Sequence, residues 1–176
     1  MHKMMEPVKA ILSTTPVRWL KLAQVLPLEI LSQPPAPEQW SALECLQHMI
    51  DTEQMFQYRL SAFLKGQESF PAFNPDAASS QVGRQSSALD LVIEFTRLRE
   101  ESLNDIGKVK TDDLKREARH QELGMVTLEE LLNLWPAHDL NHLVQAERAL
   151  MQPFIQGSGP WKQYYSDYLV KPIERK

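Results

Sequence analysis

A chain of 176 residues with 43% hydrophobic and 24% charged residues has the composition of one globular domain able to bury its own core without staples. Its net charge of -4, with the basic residues scattered, argues against nucleic acid as a partner. No apolar run approaches the roughly 18 to 20 residues needed to cross a bilayer, so no membrane partner is expected either.

The N-terminal stretch MHKMMEPVKAILSTTPVRW carries a short apolar patch but no extended signal-peptide core. Thr15-Pro16 reads as a helix start, with threonine as N-cap and proline at the first helical position, where its missing N–H costs nothing. Trp19, Leu20, Leu22, Val25 and Leu26 then fall around a short amphipathic helix. Ser32 to Pro37 is proline-rich and reads as a loop. Ser41 and Glu44 have the S-x-x-E spacing of a capping box, which predicts a long helix from about 42 to 64. That helix contains Cys45, the single cysteine, which allows no internal disulfide, fits a cytoplasmic location and is expected to act as a small buried hydrophobe.

The stretch 66–85 is rich in Gly, Pro, Ser and Asn and reads as a long connection. A third helix is predicted over about 87–106 on the stripe Leu89, Leu91, Val92, Phe95 and Leu98. Residues 112–124 are polar and irregular by pattern, and His120 within them is expected at the surface. Thr127 and Glu130 repeat the capping-box spacing and open a fourth long helix through about Met151, ended by Pro153. Trp161 to Leu169 reads as a short aromatic tail folded back on the rest, and Trp19, Trp135 and Trp161 as core residues. No alternating period-2 segment stands out. The expected fold is all-α, an up-down four-helix bundle in a single domain over residues 1–176, with its core at about 14–170 and a short extra helical segment at the C-terminus.

The histidines carry the chemical signal. His138 and His142 stand four apart in the fourth helix, one turn apart on one face, a spacing that lets two imidazoles bind one ion. His48, in the first turns of the other capped helix, can supply a third ligand if the two helices pack together. At about 100° per residue, Glu44, Cys45, Thr52, Met55 and Arg59 share the face of His48. Leu131, Leu134, Gln145 and Ala149 share that of His138 and His142, with Asn141 at its edge. The competing reading is of core histidines satisfied by ordinary hydrogen bonds. Asp139 stands where a zincin would carry glutamate, so a metalloprotease reading lacks its general base.

Two blocks resemble the DinB/YfiT-like superfamily of bacterial four-helix-bundle metalloproteins. The first is Trp40-Ser41 leading into Leu46-Gln47-His48-Met49-Ile50-Asp51, followed by Glu53 and Arg59. The second is His138-Asp139-Leu140-Asn141-His142-Leu143-Val144-Gln145, with its lead-in from Gly124 to Leu132 and the closing Gly159-Pro160-Trp161. The resemblance implies an up-down bundle with a divalent metal, nickel or zinc, on His48, His138 and His142. It also implies a homodimer, and relatives that include thiol-dependent S-transferases.

Two function classes follow. In one, the metal activates a low-molecular-weight thiol co-substrate, or water, against a small electrophile, making the protein an S-transferase or hydrolase acting on a small-molecule substrate. Glu44, Thr52, Arg59, Asn141 and Gln145 are then the candidates to support a ligand or orient substrate. In the other, the bundle is a non-catalytic metal- or ligand-binding stress protein acting through its dimer surface.

Overall fold

The computed structural model describes residues 4–72 and 87–170. His2 and the part of the long connection beyond residue 72 lie outside them. The chain forms α1 (Met5–Val25), the single turn α2 (Leu28–Leu31), α3 (Ala42–Leu64), α4 (Ala88–Ile106) and α5 (Leu128–Gly157). A three-stranded sheet of β1 (Ser69–Phe70), β2 (Glu117–His120) and β3 (Gly124–Thr127) lies at one end, and 3-10 turns cover Thr111–Lys115 and Gly159–Tyr168. Among the described residues no helix is long and apolar enough to cross a membrane.

Three helices begin on capping boxes. Ser41 Oγ accepts the Glu44 N–H while Glu44 Oε2 accepts the Ser41 N–H at 2.7 Å, and Thr127 with Glu130 does the same for α5. Ser87 with Asp90 opens α4 in the same way. Each pair satisfies two backbone donors that a helix start leaves free.

The four long helices form the bundle, with α1 and α3 each packed against both α4 and α5. Their directions follow from the contacts. Along α3, Glu53 meets Arg99 and Gln57 meets Ser102, so α3 and α4 run the same way. Against α5 the numbers run oppositely, with His48 beside His142 and Phe56 on Trp135. Two parallel neighbours must be joined by chain that returns the full length of a helix, about 34 Å for the 23 residues of α3. That requirement explains the long connection after Gly66.

Three expectations need correction. Helix α1 starts at Met5, eleven residues before the predicted first helical residue, Pro16, which lies inside it. A mid-helix proline strips the carbonyl four residues earlier of its donor; here Leu12 O accepts from Arg99 Nη1 at 3.1 Å instead. Helix α5 passes through Pro136 and Pro153 to Gly157, rather than ending at 151–153. The stretch 112–124, expected to be irregular, forms a hairpin whose register pairs Glu117 with Thr127 and His120 with Gly124. The loop Gln121 to Leu123 closes on Gly124 at φ 81°, a left-handed backbone that glycine adopts without a Cβ penalty.

Trp19 and Trp135 are core residues as expected, whereas Trp161 is 65% exposed. Its 3-10 segment still docks on α5, through Gln152 Nε2 donating to Tyr168 O and Arg148 to Asp167 O. That docking uses the backbone and leaves the rings outside.

Candidate metal centre

Helix α3 presents His48 and helix α5 presents His138 and His142, and the antiparallel packing of the two helices closes the distance between them. The three rings lie with centroids 5.3 Å (His48–His138), 4.6 Å (His48–His142) and 4.4 Å (His138–His142) apart. Their ligand nitrogens all fall within 4.8 Å of one another, and no Asp, Glu or Cys among the described residues joins the group. The Nε2 atoms of His48 and His138 are 3.3 Å apart. Two nitrogens held about 2.0–2.1 Å from one tetrahedral ion stand about 3.3 Å apart, so this edge has the size a metal requires.

The rings are neutral at physiological pH. Burial, reinforced by the neighbouring His142, pushes His48 down to about 4. Burial, then His142, His48 and Arg99, pushes His138 down to about 3. His142 is lowered by burial as well, partly offset by its hydrogen bond to Gln145 and by Asp139. Neutral imidazoles are what a divalent cation takes as ligands.

The surroundings fix the rings. His142 Nδ1 lies 2.9 Å from Gln145 Oε1. A carbonyl oxygen only accepts, so the proton sits on Nδ1 and the Nε2 lone pair is left for a ligand. Trp40 stacks on His142 at 5.9 Å and tilts over His48 at 4.8 Å. Phe56 meets His138 edge-on at 5.5 Å and stacks on Trp135 behind it. Beside Trp40 opens a cavity of about 800 Å³, bounded by Glu38 and Gln39, the α5 residues Asn141, His142, Gln145 and Arg148, and Leu169 and Val170.

The five other candidates separate. Gln145 contacts a ligand imidazole and Asn141 lines the cavity. Glu44 is occupied by its capping box, and Thr52 donates to His48 O of its own helix at 2.8 Å. Arg59 points at His120, which is buried rather than exposed. Cys45 is fully buried, and desolvation first, then Glu44, pushes its thiol up to about 12, so it stays protonated.

Sequence reasoning missed what lies beneath the cluster. Arg99 sits at the bundle centre with all five N–H groups used. Nε and Nη2 bind Glu53 at 2.9 and 2.7 Å, Nη1 and Nη2 bind Asp139 at 2.6 and 3.0 Å, and Nη1 also reaches Leu12 O. Glu53 also accepts from Trp135 Nε1 at 3.0 Å and from Ser102 Oγ at 2.6 Å. Burial pulls the Arg99 pKa down, but its bonds to Asp139 and the charge of Glu53 raise it by more. The available signal was a charged residue one turn beyond Phe95 on the apolar stripe of α4.

A four-helix bundle with three imidazoles converging between facing helices has the architecture of bundle proteins that house a metal in their core. The chain belongs to the DinB superfamily, whose family model matches residues 11–146. Its fold is similar to that of YfiT from Bacillus subtilis, described as a probable metal-dependent hydrolase with an unusual four-helix bundle topology. The two align with a TM-score of 0.74 at 16% identity, over 88% of this chain and 89% of YfiT. No curated protein matches the chain significantly.

Proposed function

We propose that the protein is a metal-dependent enzyme in which His48, His138 and His142 hold one divalent ion, nickel or zinc, for attack on a small electrophile by water or a low-molecular-weight thiol. The observation that carries this reading is three ligand nitrogens within 4.8 Å with no Asp, Glu or Cys among the described residues joining them as a fourth ligand, beside a cavity large enough for a small substrate. Catalytic sites keep such an open position, whereas structural sites close it with a fourth protein ligand. A divalent ion there supplies Lewis acidity that makes water or a thiol nucleophilic at neutral pH. The description of YfiT as a probable hydrolase favours water.

The chain's own groups do the rest. Gln145 holds the His142 tautomer, and Trp40 shields two of the rings from bulk water. Asn141 offers the cavity an amide donor and acceptor, and Arg148 lines it as a cation.

The test is turnover of a panel of small esters, amides and alkyl electrophiles, with and without added thiol, by metal-loaded protein, chelator-treated protein and a His138→Ala, His142→Ala variant. The reading expects turnover in the first sample alone. Equal turnover in all three sinks it, and a tightly held metal with no turnover on any substrate favours the non-catalytic class.

A further inference from the structure

A second cluster lies three turns along α3 from His48, roughly 16 Å away along the helix axis. Arg59 Nη2 stands 3.0 Å from His120 Nε2, and its guanidinium carbon lies 5.2 Å from the centre of the Phe70 ring. Phe70 meets His120 edge-on at 5.7 Å. The sheet assembles this group, since the β1–β2 register pairs Phe70 with His120. Arg59 and His120 are 7% and 6% exposed, just beneath the hairpin tip, where Gln121, Glu122 and Leu123 are exposed.

The protons at this contact do not match. His120 Nδ1 lies 3.1 Å from the Glu122 N–H and 3.3 Å from the Leu123 N–H, and backbone N–H groups only donate. Nδ1 is therefore the acceptor, and the neutral ring carries its proton on Nε2. A guanidinium has no acceptor either. Two donors thus face each other at 3.0 Å, and no hydrogen bond among the described residues gives either proton an acceptor. The Glu122 carboxylate is close enough for its charge to raise both groups' pKa values, against the lowering by burial, yet among the described residues that carboxylate makes no hydrogen bond or ion pair with them. Leaving a buried donor unsatisfied is costly, and more so for a charged one.

We propose that Arg59 and His120 form an oxyanion site, which takes a carboxylate or phosphate group on the Arg59 Nη2–H and the His120 Nε2–H against the Phe70 ring. One oxygen, or two oxygens of one group, facing both nitrogens from one side turns the mismatch into two hydrogen bonds, one of them charge-assisted. The site stands apart from the histidine cluster and is independent of any metal there.

The experiment uses the full chain, treated with chelator and labelled with 15N-histidine, titrated with inorganic phosphate and separately with succinate. His120 is expected as the Nε2–H tautomer, with a saturable shift of that nitrogen on addition of at least one anion; which anion binds more tightly tells phosphate from carboxylate. Arg59→Met weakens that binding by about ten- to a hundredfold. Glu122→Gln, which leaves both donors in place, does not weaken it. An Nδ1–H tautomer, no saturable shift with either anion, or full affinity in a folded Arg59→Met protein overturns the proposal. Should Arg59→Met fail to fold, the tautomer and the titrations of the unmodified chain decide it alone.

Discussion

Replacing Arg99 with methionine keeps most of the side chain's length and removes its charge and all five donors. Glu53 and Asp139, both buried, lose the guanidinium that holds them. Removing one partner of a buried ion pair costs about 3–5 kcal/mol, because the other charge is stranded out of water. Pro16 makes the loss larger. Having no N–H, it cannot replace Arg99 as donor to Leu12 O, and an orphaned buried carbonyl adds about 1–3 kcal/mol. The expected loss of about 4–8 kcal/mol compares with a total stability of about 5–15 kcal/mol for a domain. Urea unfolding followed by circular dichroism should therefore show the variant barely folded at neutral pH. Adding Glu53→Gln and Asp139→Asn removes the stranded charges and should restore a large part of the loss. A loss below about 1 kcal/mol in the single variant would refute the view that this network joins the four helices.

Gln145→Leu, which frees the His142 tautomer, should weaken metal affinity by about ten- to a hundredfold in chelator competition, while Gln145→Glu retains it. In metal-free protein, His48 and His138 have folded pKa values of about 4 and 3, below the unfolded value of about 6.5. The unfolded state therefore binds more protons in acid. Their contribution is fully present above about 6.5 and is lost as pH falls through about 4 to about 3, which melting curves against pH should show and a His48→Ala, His138→Ala variant should flatten. Cys45 should resist a thiol reagent in the folded protein and react once urea unfolds it, because its thiol is buried and held protonated. Ser41→Ala should cost about 1 kcal/mol in urea unfolding through loss of the α3 cap.

What could be read from the chain was what local spacing decides. Ser41–Glu44 and Thr127–Glu130 act within one turn, so their helix starts followed from sequence. His138 and His142 share a face by the same arithmetic, and His48 joined them because its helix was bounded correctly. Contacts between distant residues decided the rest. Pro16 looks like a helix start because an internal proline normally breaks a helix; the side chain that makes it tolerable belongs to Arg99, on another helix. The hairpin was hidden because Glu117-Ala118-Arg119-His120 carries one apolar residue, and its inward positions are Ala118 and His120. His120 is buried through its pairing with Phe70 and Arg59 and its caps on Glu122 and Leu123, none of which periodicity reports. Trp40 entered the reading only as a motif residue, and its place over two imidazoles depends on how the loop before α3 folds back.

The measurement that bears most directly on the account is the metal content and coordination of the purified protein, by elemental analysis with X-ray absorption at the metal edge. The account predicts one divalent ion per chain, bound by three imidazole nitrogens with a non-protein ligand in the remaining position, and lost in the His138→Ala, His142→Ala variant. Protein that takes up no divalent ion, or a double variant that retains it with unchanged coordination, would contradict the account.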